Sequence, residues 1–169
     1  MYGQRVLTKP REVFVVDIVF NLHTETVGQA YPVDPLCVAP STTVEEVLRQ
    51  LKEHKDGSVL VCRDGRLVGI FTERDILRIM AKGGDLRTTV DRVMVPNPVT
   101  LDADDTVAVA IKRMSEGGYR RLPVVDGARR PIGLLKVSGI VRYLVEHFPK
   151  SVYNLPPAPS AVAQQREGP

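Results

Sequence analysis

The stretch Gly69-Ile70-Phe71-Thr72-Glu73-Arg74-Asp75 decides the fold, because the chain returns to it as Gly133-Leu134-Leu135-Lys136-Val137-Ser138-Gly139. Around it, Val27 to Met94 forms one pattern that restarts 63 residues later. Pro35 aligns with Pro98, Thr43 and Val44 with Thr106 and Val107, Glu53 with Glu116, and Val61 with Val124. After one inserted residue, Gly69 meets Gly133. Self-similarity at such a period marks duplicated units that stack on each other. The copies part at two polar positions, where Thr72 is matched by Lys136 and Asp75 by Gly139. The fold is duplicated, but a polar constellation is kept in the first copy only.

Each copy reads strand, helix, strand, strand, helix. In the first, Leu36 to Ala39 is a short apolar run, and Thr42 or Thr43 caps the helix that follows. Val44, Val47, Leu48 and Leu51 fall on one helical face, and Asp56-Gly57 ends it. Ser58 to Cys62 and Leu67 to Phe71 flank Asp64-Gly65, a strong hairpin signal. Thr72 opens a second helix whose predicted buried face is Ile76, Leu77, Ile79 and Met80, stopped by Gly83-Gly84. The second copy repeats this with Val107, Ala110, Ile111 and Met114, then strands Leu122 to Val125 and Ile132 to Leu135. Its last helix is predicted to bury Ile140, Val141, Leu144 and Val145, with Pro149 closing it. Glu12 to Phe20 reads as a strand outside the repeat, and Ser151 to Pro169, rich in proline, as an extended or disordered tail. The organisation is therefore an N-terminal extension over 1–25, a first unit over 26–82, a second over 89–148 and a tail over 149–169.

A unit of about 60 residues is marginal alone, so two fused units sharing a core are expected. The net charge is only +3 despite a pI near 9.0, which disfavours a nucleic-acid partner. The apolar run Val13 to Phe20 is too short to span a membrane and contains Asp17. Cys37 and Cys62 show no metal-ligand or redox spacing; both are expected to be buried and reduced, in a cytoplasmic setting. His23, His54 and His147 are scattered, and no nucleophile–base pattern or Walker-type phosphate loop accompanies them. Catalysis is not expected.

Thr72 and Asp75 are the polar pair with a choice of roles. Backbone N–H groups at a helix start attract anions. A carboxylate one turn in offers two acceptors, which suits the vicinal hydroxyls of a ribose. The structural alternative is plainer: Thr72 is an N-cap and Asp75 answers the helix dipole in a capping arrangement.

The duplicated order, the Asp-Gly hairpin, Gly69 to Asp75, and Gly118-Tyr119-Arg120-Arg121-Leu122-Pro123-Val124-Val125-Asp126 together resemble the cystathionine-β-synthase (CBS) domain family, over roughly Thr26 to Phe148. The resemblance implies an α+β fold: two β-α-β-β-α units packed as a pseudo-two-fold pair, a Bateman-type module. It implies clefts between the units that bind adenosyl ligands, namely AMP, ADP, ATP or S-adenosylmethionine, as regulatory ligands with no cofactor required. In such pairs the position of Asp75 holds ribose and that of Thr72 lies near ribose or phosphate. The other unit's opening strand, here Pro98 and Val99, walls the adenine. Arg120 and Arg121 match phosphate-facing positions, and Ser138 matches another. The alternative for the arginines is a solvated rim or an ion pair. With Gly139 and Lys136 the second cleft is expected to be degenerate, unless Lys136 reaches over to add charge at the first. A regulatory module acting on a separate polypeptide, as a homodimer, is expected. A purely structural dimerisation module and a nucleic-acid-binding protein are the other readings.

Overall fold

The computed structural model describes residues 22–30 and 32–148. The strand expected over Glu12 to Phe20, Pro149 and the tail lie outside the described residues.

The first half runs β1 (Cys37–Val38), α1 (Val44–His54), β2 (Ser58–Arg63), β3 (Arg66–Thr72) and α2 (Glu73–Ala81). After β4 (Val95–Pro96), the second half repeats it as β5 (Leu101–Asp102), α3 (Val107–Gly117), β6 (Arg121–Val125), β7 (Pro131–Lys136) and α4 (Val137–His147). Local chemistry sets these boundaries. Thr43 and Thr106 cap α1 and α3 by accepting from Glu46 N and Val109 N, each at 3.3 Å. Asp64 and Gly65 turn the first hairpin with φ of 51° and 75°, the left-handed pair that a two-residue turn requires.

The sheets are ordered β1-β2-β3-β4 and β5-β6-β7. The lead-in segments are exchanged between the halves. Val27 and Ala30 are fully buried in the second half's core with Leu101, Val107, Ala110 and Leu135. The segment before β4 does the converse: Val90 enters the first half's core with Val44, Val47 and Phe71, and its N–H bonds Thr42 O at 2.8 Å. Space and sequence therefore divide the chain differently, since residues 26–30 lie in the first unit by repeat but pack on the second. Between the sheets, Leu60, Leu67 and Ile70 meet Val125 and Leu134 in a third cluster. Leu67 N also bonds Arg129 O across the halves at 2.9 Å.

Three expectations need correction. Leu77 and Met80 are not on a buried face; they are 66% and 60% exposed. Ile76 is the residue of that set that enters the core. Val141 is likewise exposed, and Tyr143 takes the interior position of α4 beside Ile140. Both helices lie on the outside of their sheets, so a single narrow stripe suffices to seat each one. Cys37 is exposed and Cys62 half-buried, both as free thiols, because β1 is a two-residue strand at the sheet edge.

Candidate functional site

At the start of α2 the capping geometry is present. Asp75 is buried, and its Oδ2 accepts from Thr72 N at 3.0 Å and Thr72 Oγ1 at 2.7 Å. Its Oδ1 accepts from Arg78 Nη1 at 3.2 Å. A ribose bound here would share these oxygens with Thr72 and Arg78. Glu73 and Asp75 also place negative charge in the first turn, where the helix dipole favours it.

The equivalent start of α4 is built otherwise. Lys136 is the N-cap, no side chain caps it, and its first turn has no acidic residue. An ammonium there meets the wrong end of the dipole. Lys136 instead crosses to the first half, where its Nζ bonds both carboxylate oxygens of Asp56 at 3.1 Å. Arg121, its register partner between β6 and β7, places Nη1 3.6 Å from Asp56 Oδ1. Asp56 Oδ1 also accepts from Gly57 N at 2.7 Å. The three charged side chains are mostly shielded, with 13%, 24% and 29% of Asp56, Arg121 and Lys136 exposed. Arg121 Nη1 is buried without a hydrogen-bond acceptor.

This cluster floors a cleft of about 610 Å3 between the ends of α1 and α2 and the second half. Lys52, Lys55, Arg121 and Lys136 face two carboxylates, Asp56 and Glu73, over an apolar back of Leu48, Leu51 and Ile76. The cleft is open, amphipathic and cationic, the composition that accepts an anionic ligand with an apolar part. Gly57 makes the approach feasible: a Cβ there would lie 2.9 Å from Arg121 Nη2 and 2.7 Å from Glu73 Oε2.

Of the residues singled out from the sequence, Arg121 lines this cleft; Thr72, Asp75, Pro98, Val99, Arg120 and Ser138 do not. Thr72 and Asp75 are joined to each other at the adjoining helix start. Arg120 and Ser138 are exposed, Pro98 is half-buried and Val99 41% exposed. Asp56 was not singled out as a site residue. Its Asp-Gly pairing reads as a helix stop, and nothing local in the sequence points to a partner 80 residues away. Lys136 reaching across was one of two alternatives, and its ammonium does meet the first half.

Elsewhere, neighbouring Cys62 lowers the Cys37 thiol to about 7, while Cys62 itself is pushed up by Cys37 and by burial. His147 stacks on Tyr143 at 4.3 Å. Among the described residues no group of three His, Cys, Asp or Glu side chains could hold a metal ion. No described helix is long and apolar enough to cross a membrane.

The chain is similar to the meiotically up-regulated gene 70 protein of Schizosaccharomyces pombe, at 39% identity over 62% of this chain and 14% of that protein. It is also similar to the uncharacterized protein MK0525 of Methanopyrus kandleri, at 31% identity over 73% of this chain and 66% of that one. The matches thus span less than two thirds of these relatives. Among solved structures, the CBS domain pair of protein MJ0100, in complex with 5′-methylthioadenosine and S-adenosyl-L-methionine, superposes with a TM-score of 0.67. That pair shares 25% identity, with 73% of this chain and 98% of that chain covered. The CBS domain model matches residues 27–82 and 90–146, in line with the duplicated α+β halves, and the chain belongs to the CBS domain family as a tandem pair.

Proposed function

We propose that this pair is a regulatory module that senses an adenosyl ligand of the AMP, ADP or ATP class between its halves. The observation that carries the reading is the cationic inter-half cleft, in which Arg121 holds a buried donor without an acceptor. An Arg fork matches phosphate oxygens two at a time. The MJ0100 pair, which binds adenosyl compounds, supports the same class of ligand. In this reading Asp75 and Thr72 meet the ribose, Pro98 and Val99 flank the adenine, and Arg121, with Arg120 and Ser138, faces the phosphates. S-adenosylmethionine shares the adenosyl part of this class and lacks the phosphates, and it is kept as a second ligand of the same cleft.

The module acts by changing the arrangement of its halves or of two copies, which requires the ligand to prefer one arrangement. Leu77, Met80 and Val141, exposed on α2 and α4, supply apolar surface for pairing of two copies. No turnover is part of this reading, and incubation with ATP or AMP followed by product analysis checks that.

A thermal-shift panel of AMP, ADP, ATP, NAD and S-adenosylmethionine tests the reading. A ligand at 100 times its Kd adds about 2.7 kcal/mol, or roughly 5–10 °C for a domain of this size. Asp75→Ala should lose most of that shift. A parental response in Asp75→Ala removes the ribose role, and no shift with any adenosyl compound leaves a purely structural dimerisation module.

A further inference from the structure

Both ion pairs that cross between the halves, among the described residues, end on one carboxylate. Arg121 comes from β6 and Lys136 from β7, and Asp56 stands between α1 and β2. One negative charge thus answers two positive ones, and it answers them unequally. Lys136 Nζ takes both oxygens at 3.1 Å, while Arg121 Nη1 is 3.6 Å from the nearest one. That distance exceeds a hydrogen bond, and the donor finds no other acceptor. The open cleft beside the triad adds Lys52 and Lys55 and only one more carboxylate, Glu73. The cations are arranged for more anionic charge than Asp56 supplies.

We propose that Asp56 is a built-in counter-anion, occupying the Arg121 and Lys136 pair that an oligophosphate group takes, so that binding releases Asp56 and with it the side-chain ion link between the halves. The proposal deepens the function proposed above and rests on it for the adenosyl part of the ligand. A phosphate offers several strong acceptor oxygens and fills the Arg121 fork that Asp56 leaves unfilled. Its gain is reduced by what Asp56 must give up, and the same exchange transmits binding to the contact between halves. The ligand therefore prefers the arrangement in which Asp56 has moved away, which is the condition for it to shift an equilibrium. Gly57 reports the move, because its N–H donates to the carboxylate oxygen that would leave, at 2.7 Å.

Titration calorimetry with inorganic tripolyphosphate on the full chain tests this without adenosine. Asp56→Asn keeps the shape and removes the charge. It should bind tripolyphosphate about tenfold more tightly, about 1.4 kcal/mol. Lys136→Met should bind about tenfold more weakly. In the parent protein, exchange of the Gly57 amide hydrogen should accelerate when tripolyphosphate is added, a readout that stands even if Asp56→Asn does not fold. The proposal is overturned if tripolyphosphate fails to bind the parent, if Asp56→Asn binds no more tightly, or if the Gly57 amide is unchanged or slowed. Nucleotide binding without these tripolyphosphate effects sinks the counter-anion and keeps the adenosyl reading. The tripolyphosphate effects without any thermal shift from adenosyl compounds do the reverse.

Discussion

The starts of α2 and α4 occupy the same place in the two halves and spend their side chains on opposite tasks. Thr72 and Asp75 turn inward and satisfy each other at their own helix. Lys136 and Gly139 leave their helix uncapped, and Lys136 binds the other half. A helix start needs acceptors for its free N–H groups and gains from negative charge, so the first half follows local rules and the second breaks them. A broken local rule is expected where function or a longer-range contact takes precedence. The asymmetry of the repeat is therefore informative where it departs from ordinary capping, on the side of Lys136 and Asp56.

The two halves form one folding body only if their cores unfold together. Phe71 and Leu135 are equivalent positions, both fully buried, in the two separate cores. Phe71→Ala should cost about 3–5 kcal/mol and Leu135→Ala about 2–5 kcal/mol. The exchanged lead-in segments and the middle cluster of Leu60, Ile70 and Leu134 tie these cores together. Both variants should then lower one shared transition in calorimetric or denaturant unfolding. Two resolved transitions, each moved by its own substitution, would mean two domains that merely touch.

Much of this architecture was legible in the sequence because it rests on local signals. Thr43 and Thr106 as caps, Asp64-Gly65 as a turn and the apolar strand runs each act within a few residues, and the caps and strand runs recur in both copies. Helix faces were less legible. Leu77, Met80 and Val141 fit the helical spacing but lie outward, since spacing tells which residues share a face and not how wide the covered stripe is. The exchange of lead-in segments was hidden for a similar reason: Val27 and Val90 are simply apolar, and only the closed fold tells which core receives each. Arg121, which lines the cleft, was singled out through the family pattern. Asp56 was missed because its meaning depends on two partners from a distant hairpin.

A smaller and more local contrast separates Gly57 from its counterpart Arg120. The two hold the same post, Gly57 O accepting from Glu73 N at 3.2 Å and Arg120 O from Val137 N at 3.0 Å. At Gly57 an added methyl group meets Arg121 and Glu73 inside van der Waals contact, whereas the Arg120 side chain is exposed. Gly57→Ala pushes only on the tips of the flexible Arg121 and Glu73 side chains and should cost about 1 kcal/mol, while Arg120→Ala should stay within about 0.5 kcal/mol. Paired melts of the two variants measure this. Equal costs would mean that the halves are symmetric at this post and that the crowding around Arg121 relaxes freely.

Opposing changes in stability that nearly cancel are expected from making the second helix start resemble the first. Lys136→Thr together with Gly139→Asp supplies a capping hydroxyl and a carboxylate to α4, removes an ammonium from the positive end of the dipole, and replaces a helical glycine. A cap is worth about 1 kcal/mol, and replacing a helical Gly by Asp recovers about 0.3 kcal/mol of the roughly 1 kcal/mol that Gly loses against Ala, with a further gain of about 0.3–1 kcal/mol from the charge change at the helix start. Against these gains, the double variant loses the Lys136 contact and leaves Asp56 to Arg121 alone, a loss of similar size for a hydrogen-bonded, partly shielded charge at about 1.5–3 kcal/mol. The opposing effects should leave unfolding free energy within about 1 kcal/mol of the parent, while Lys136→Thr alone should fall below it, because it gives up the contact without gaining the carboxylate. Denaturant titrations of the single and double variants resolve the two contributions. A double variant markedly more stable than the parent would show that the link from Lys136 to Asp56 contributes little, and that the second half forgoes its cap without a compensating contact.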